Sequence, residues 1–436
     1  MFTTIKNAWR IPDLRKKIIF TLFIIIVFRF GSVVPVPFID AAALTEMMGD
    51  VNNNTALSYI SMLTGGAFQY ASLFAMGITP YINSSIIMQL LQVAIPPLER
   101  MAKEGEEGRK KIAAITRYVT VLLGLIQGTA YYFYLHNSGA VKSYDTFGTI
   151  FVAFVMILTF TAGTALIMWM GEQINEKGIG NGISIILFAG IVARLPVTFG
   201  GVWSYFKMAL DNPSGSGQFF VLAPLFIVMF LCVIWVIVFM NEAERRIPVQ
   251  YAKKVVGRKM YGGQSSFLPI KVAMSGVMPV IFASAILSIP SMIKIFVNPT
   301  DGFWLSFFNA FETTGWVYIV LYFLLILMFA YFYMSIQYNP LEMANNLRQS
   351  NGTIPGIRPG KPTADFIAKI LSKITLIGAL FLAFIALVPI IYGKFSGMGS
   401  LSVGGTSIII IVGVALETVK QLESQMMMRH YKGFLD

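Results

Sequence analysis

One cysteine and two histidines are all that a chain of 436 residues offers to thiol and imidazole chemistry. Cys232 alone cannot build a disulfide framework, and its place in an apolar run marks an inert thiol, lipid-facing or in the core. His136 and His430 fall too far apart in the topology below to share a metal, and no HExxH or CxxC spacing occurs. Each is read as a helix-end or tail residue, so neither a metal nor a cofactor is expected. The GxSxG elbow is missing, as are membrane-embedded carboxylate pairs, which argues against hydrolases, intramembrane proteases and most proton-coupled pumps. GIGNG at 178–182 lacks the strand that a dinucleotide loop requires, and the run 356–361 is one residue short of a phosphate loop, with Pro362 where a magnesium-binding hydroxyl belongs. Charge is scarce too: 12% of residues are charged and 56% hydrophobic, too little polar surface for a soluble domain of this length.

What fills the chain instead is a series of apolar runs near the roughly 20 residues that cross a hydrocarbon core. Ten are expected, at 18–35, 75–95, 112–135, 149–170, 183–199, 219–240, 272–293, 316–336, 366–391 and 405–422. The first is too long for a signal-peptide core and lacks a small-residue cleavage site, so it reads as an uncleaved span. Ten crossings return both termini to one side. Of the 33 Lys and Arg, only Arg29, Lys142, Arg194, Lys207, Lys294 and Lys394 fall away from that side, which the positive-inside rule makes cytoplasmic. The net charge of +12 is thereby gathered on one face, which attracts anionic lipid headgroups and equally ribosomal RNA or an acidic soluble partner.

Residues 1–17 form a basic N-terminal segment, 18–200 and 201–425 two halves of five spans, and 426–436 a tail. An odd number per half means that related halves would enter the membrane in opposite directions, as in inverted-repeat transporters. Three stretches depart from plain helices. Residues 56–74 are apolar but broken by Gly65 and Gly66, which fits a segment folding back into the bundle from the outer face or one lying on the leaflet. The run 79–92 carries Asn83, Ser84, Ser85, Gln89 and Gln92, so one face must look inward, toward a wet cavity or toward hydrogen bonds between helices. Ile82 and Ile86, one turn apart on that run, suit either lipid or a constriction. Finally, the loops at about 241–271 and 337–373 are long and basic, and Pro355 and Pro359 restrict the backbone around Arg358 as a presented contact residue requires.

GITPYINSSIIMQLL at 77–91, GEQINEKGIGNGISIILFAGIV at 171–192, RRIPVQYAKK at 245–254, GVMPVIFASAIL at 276–287, PGIRPGKPTA at 355–364 and GGTSIIIIVGVALET at 404–418 stand in one order across the chain. In them the chain resembles the SecY family, the pore-forming subunits of the bacterial Sec protein translocon. The resemblance implies an all-α polytopic membrane protein of ten transmembrane helices, in two inverted five-helix halves that close as a clamshell, with a re-entrant plug helix. It implies a multi-pass channel of the bacterial cytoplasmic membrane, both termini cytoplasmic, that moves unfolded secretory polypeptides across and releases signal or transmembrane helices sideways. Matched motif to motif, the family's pore ring falls on Ile82, Ile86, Ile183, Leu187, Ile281 and Ile410, and the plug on Ser61, Met62, Leu63, Thr64, Gly65 and Gly66 within 56–74. Leu for Ile at one ring position conserves volume. Thr79 and Gln127 are the candidate polar residues of the lateral gate. Arg245, Arg246, Lys253, Lys254, Arg258, Lys259 and Arg358 are the expected docking residues for SecA or the ribosome. SecE and SecG subunits, signal peptides, preproteins and anionic lipids complete the implied partners. The alternative is an inverted-repeat secondary transporter for a small solute, which would need a polar midplane site.

Overall fold

In the computed structural model the chain is described at residues 2–40, 43, 64–142, 146–211, 217–251, 254–256, 259–261, 265–273, 276–297, 302–311, 315–396 and 405–432. The apolar runs are helical, because hydrocarbon supplies no partner for backbone N–H and C=O groups and only a helix satisfies them within one segment. The ten expected spans correspond to α2 (Pro12–Gly31), α3 (Thr79–Ala94), α5 (Glu106–Asn137), α6 (Thr146–Lys177), α7 (Gly182–Asp211), α8 (Phe219–Glu242), α9 (Met278–Val297), α11 (Trp316–Gln337), α13 (Lys361–Ser396) and α14 (Gly405–Lys432). Shorter helices flank them: α1 (Phe2–Arg10), α4 (Pro96–Lys103), α10 (Phe303–Ala310) and α12 (Pro340–Gln349). Seven of the described helices, α5 to α8, α11, α13 and α14, are long and apolar enough to cross a bilayer by length and composition. Of the other three, α2 opens on Asp13, Arg15, Lys16 and Lys17, and α3 has 16 residues. Mid-helix apolar side chains face outward, Ile26 at 66% and Trp235 at 67% exposure, as lipid contact requires and water would not permit.

The chain ends meet at one end of the bundle. α1 packs on α2 and α14. Ala8, Leu14, Ile179 and Leu422 make a small apolar cluster there, and Lys17 Nζ donates to Gln425 Oε1 at 3.5 Å. That is the geometry an even number of crossings demands.

The helical bundle carries a small β element at one end. The stretch after α8 forms an antiparallel hairpin, β1 (Glu244–Tyr251) against β4 (Ser265–Lys271), with Ile247 opposite Leu268. β5 (Gly352–Thr353) pairs with the end of β1, and β2 (Lys254–Val256) pairs with β3 (Lys259–Tyr261). The cause is local, since ERRIPVQY alternates and only Ile247 and Val249 of β1 turn inward. They pack with Ile270, Leu347, Ile354, Ile367, Leu371 and Ile374, so both basic loops share one satellite core with the start of α13.

The two halves meet unequally. α7 packs extensively on α8 and α14, whereas on the opposite side α9 touches α3 and α5 only slightly. The large core, from Ile24 and Phe28 to Val414 and Leu416, runs through both halves.

A tight α6–α7 turn fixes how α7 enters that core. A β-carbon at Gly182 would fall against the Gly171 carbonyl oxygen of α6, so the two helices can close up only over glycine. Replacing Gly182 with Val should destabilise the protein by about 3 kcal/mol. A lowered thermal midpoint in detergent is expected; an unchanged midpoint would contradict this close approach.

Candidate functional site

The motif around 178–182 positions the first site residues. Asn175 Oδ1 accepts the Gly182 N–H at 2.7 Å, and Asn181 Oδ1 accepts the Ile183 N–H at 3.1 Å and that of Ser184 at 3.4 Å. Asn181 thus caps α7, and Gly180 supplies the positive φ of 82° that turns the chain. GIGNG is a helix-to-helix turn rather than a nucleotide loop. It sets Ile183 and Leu187, four residues apart, on one face of α7.

The six aliphatic positions lie on α3, α7, α9 and α14. Ile86, Leu187 and Ile410 are buried members of the large core, and Ile82, Ile183 and Ile281 pack against it partly buried. Ile87, the neighbour of Ile86, is 39% exposed on the other face of α3. Leu187, Ile281 and Ile410 also line a cavity of about 660 Å³. Its other walls include Asn241, Lys271, Gln337, Glu417 and Lys420, so it opens toward the end of the bundle that carries the β-hairpin. Gly413 belongs to this lining, and a β-carbon there would lie 2.8 Å from Val277 Cγ2, which lets α9 approach α14 beside Ile281 and Ile410. Sequence reasoning missed Gly413, although its place three residues after Ile410 puts it on the same helix face.

Beyond the aliphatic side chains, on the side away from the cavity, lies the segment 64–77. Ser61, Met62 and Leu63 fall outside the described residues; Thr64, Gly65 and Gly66 are buried. The described part is a series of turns, and its backbone is satisfied by protein. Leu73 N–H donates to Val34 O and Val36 N–H to Ala71 O, both at 3.0 Å. The Tyr131 hydroxyl donates to Phe68 O, and Thr64 Oγ1 accepts the Phe68 N–H at 3.2 Å. Phe74 stacks on Phe28 of α2, and the Leu73 carbonyl occupies the space beside Gly163 of α6. A β-carbon on Gly65 would lie 2.9 Å from the Gly190 Cα, less than a turn past Leu187 along α7. Along α7, the cavity-lining Ser184 and Leu187 are therefore followed by the buried segment.

Beside the slight contact of α9 with α3 and α5, the halves share a hydrogen bond that the sequence did not reveal. Tyr333 of α11 donates its hydroxyl to Gln89 Oε1 of α3 at 2.5 Å, and Gln89 Nε2 donates to Ser85 Oγ at 3.3 Å. Gln89 stood out as polar, but nothing marked Tyr333, 244 positions away. Ser84 instead bonds within the first half, to Thr116 O at 2.8 Å. Thr79 and Gln127 are both half-buried, on α3 and α5, and make no side-chain hydrogen bond among the described residues.

On the hairpin end, Arg245, Arg246 and Arg358 are exposed. Arg246 is engaged by Glu244, at 2.7 Å. Arg358 sits at the tip of a turn whose flanking Gly356 and Gly360 have φ of 82° and 107°, and its carbonyl accepts from Thr363 Oγ1 at 2.8 Å. Lys254 and Lys259 belong to the β2–β3 pair, and Lys253 and Arg258 lie outside the described residues.

The SecY family model matches residues 72–419. The chain is 44% identical to the protein translocase subunit SecY of Streptomyces coelicolor, over 446 aligned positions that cover 100% of both. It is likewise 44% identical to that of Bacillus subtilis, over 443 positions and 100% of each. Among solved structures it superposes on a protein-conducting channel with a TM-score of 0.63 at 18% identity, covering 94% of this chain and 92% of that one. Sec61 from the canine ribosome-channel complex of the endoplasmic reticulum gives 0.58 at 16%, again over 94% and 92%. The remote structures share the fold, and the near relatives share the sequence from end to end: the chain belongs to the SecY family.

Proposed function

We propose that this chain is a protein-conducting channel of a bacterial cytoplasmic membrane, passing unfolded secretory polypeptides across it and releasing signal or transmembrane helices sideways into lipid. The observation that carries the reading is that Leu187, Ile281 and Ile410, from three helices, line one open cavity, while the buried segment packs its Gly65 against Gly190 farther along α7. A narrow apolar constriction excludes water and ions by dewetting, and flexible aliphatic side chains part around any chain without reading its sequence. Ile82, Ile86, Ile183, Leu187, Ile281 and Ile410 form this collar, and the segment that includes Thr64, Gly65 and Gly66 stops its outer side. The same collar presents no polar ligand to a small solute, so a secondary transporter is not proposed.

The two halves, α2 to α7 and α8 to α14, are an inverted pair that opens like a clamshell at the seam of α3 and α5 against α9 and α11. Selection at that seam follows apolar transfer energy, which disfavours a charged residue at a helix centre by about 2.5 to 3.5 kcal/mol. Thr79 and Gln127 flank the exit, and the Tyr333–Gln89 bond ties it. Because such a bond contributes only about 0.5 to 1.5 kcal/mol, the front yields to a sufficiently apolar helix while the packed back of α7, α8 and α14 holds. The hairpin end faces the cytoplasm with both termini. There Arg358, Arg245 and the neighbouring lysines dock the SecA motor or the translating ribosome, the source of the driving energy. The ribosome-bound state of the canine relative supports that partner. SecE and SecG brace the assembly, and anionic lipids meet the basic rim.

Replacing Ile410 or Ile281 with Asn should wet the collar, raising ion leak through the idle protein in planar bilayers and export of substrates with defective signals. Unchanged leak together with unchanged export would contradict the collar. Tyr333→Phe should favour lateral insertion of a marginally apolar test segment by about two- to tenfold, scored by glycosylation or protease mapping. An unchanged inserted fraction would remove the tie. Arg358→Glu should impair motor-driven or ribosome-coupled export while the chain itself still accumulates in the membrane. Normal export in that variant would remove the docking role.

A further inference from the structure

Six Lys and Arg fall away from the basic side of the topology, and two of these, Arg29 and Arg194, are the ones that grip the 64–77 segment. Arg29, in the last turn of α2, donates from Nη1 to the Gly65 carbonyl at 3.0 Å. Arg194 lies one turn past Gly190 on α7 and donates from Nη1 to Gln69 Oε1 at 2.6 Å. Both acceptors are uncharged. Among the described residues neither guanidinium has a carboxylate within ion-pair distance.

The glycine pair makes room for both cations. Gly65 has φ +67°, and a β-carbon on it would lie 2.7 Å from Arg29 Nη1 as well as 2.9 Å from the Gly190 Cα. Gly66 has φ +91°, and its β-carbon would lie 3.4 Å from Arg194 Nη1. A guanidinium at membrane depth is costly and is kept where it has work. Here the two stand on neighbouring helices, α2 and α7, and converge on the five residues from Gly65 to Gln69.

We propose that Arg29 and Arg194 are positioning residues of the channel, a two-point latch that holds the segment against the outer side of the collar. This rests on the channel reading above. Hydrogen bonds from a charged donor each shift a closed-to-open population by about ten- to a hundredfold. Neutral acceptors keep the latch within reach of an entering signal helix, since displacing the segment strands no buried carboxylate.

The test uses the full chain, reconstituted with the subunits that copurify with it, and reads idle ion conductance in planar bilayers and export of a weak-signal preprotein. Arg194→Gln and Arg29→Gln should each raise idle opening by about tenfold. Gln69→Glu turns one neutral contact into an ion pair and should do the reverse, lowering idle opening and export of the weak-signal substrate below wild type while export of a strong-signal preprotein stays at the wild-type level, which damage to the fold would not spare. Ile410→Asn runs alongside as the reference. Should the arginine variants match wild type, or Gln69→Glu leave opening unchanged or raised, while Ile410→Asn leaks, the latch is overturned and the channel stands. Should Ile410→Asn be silent as well, the channel reading falls and takes the latch with it.

Discussion

Hydrocarbon offers no hydrogen bonds, so every stretch of this chain that is not helical must find its backbone partners inside the protein. That constraint decides where the 64–77 segment goes. It cannot lie among lipid tails in the turns it adopts, and it can be buried because the 32–36 stretch, Tyr131 and Thr64 take up its backbone groups. Burial brings the segment against α2, α6 and α7, each time beside a glycine: Gly31, Gly163 and Gly190. That placement sets Gly65 beside Gly190, just past Leu187 on α7, where the proposed Arg29 and Arg194 latch holds it.

The bundle is strong at the back and weak at the front. α7, α8 and α14 interlock through apolar side chains of the large core, including Phe226, Phe230 and Ile237 of α8. The front offers a slight contact of α9 and one hydrogen bond from Tyr333. Hydrogen bonds between membrane helices average about 0.6 kcal/mol, well below the stabilisation that lengthwise helix packing accumulates. In the proposed channel, a body joined this way would bend about its back and part at its front, opening a path both along its axis and to the side.

Much of this was legible in the chain. All ten runs were visible because apolar length is a coarse signal, and the helices differ from them mainly by extra turns at their ends, as where α6 continues to Lys177, α7 to Asp211 and α14 to Lys432. The basic loops were counted for charge, and the two-residue alternation of Ile247 and Val249 was passed over, so the hairpin was missed. The collar was not readable from composition at all; Ile82 and Ile86 could equally have faced lipid, and the family resemblance chose between the two. Tyr333 escaped because a contact between positions 89 and 333 leaves no local trace. Gly413 left one, three residues from Ile410, and was overlooked.

The central claim is that one apolar collar both seals the idle protein and encircles a passing chain. Crosslinking from a single cysteine placed at position 281, with a preprotein stalled in transit, tests it most directly. The account predicts an adduct with the stalled chain that no small solute suppresses. Absence of the adduct in an assembly that is exporting the same preprotein, or its suppression by a small solute, would contradict it.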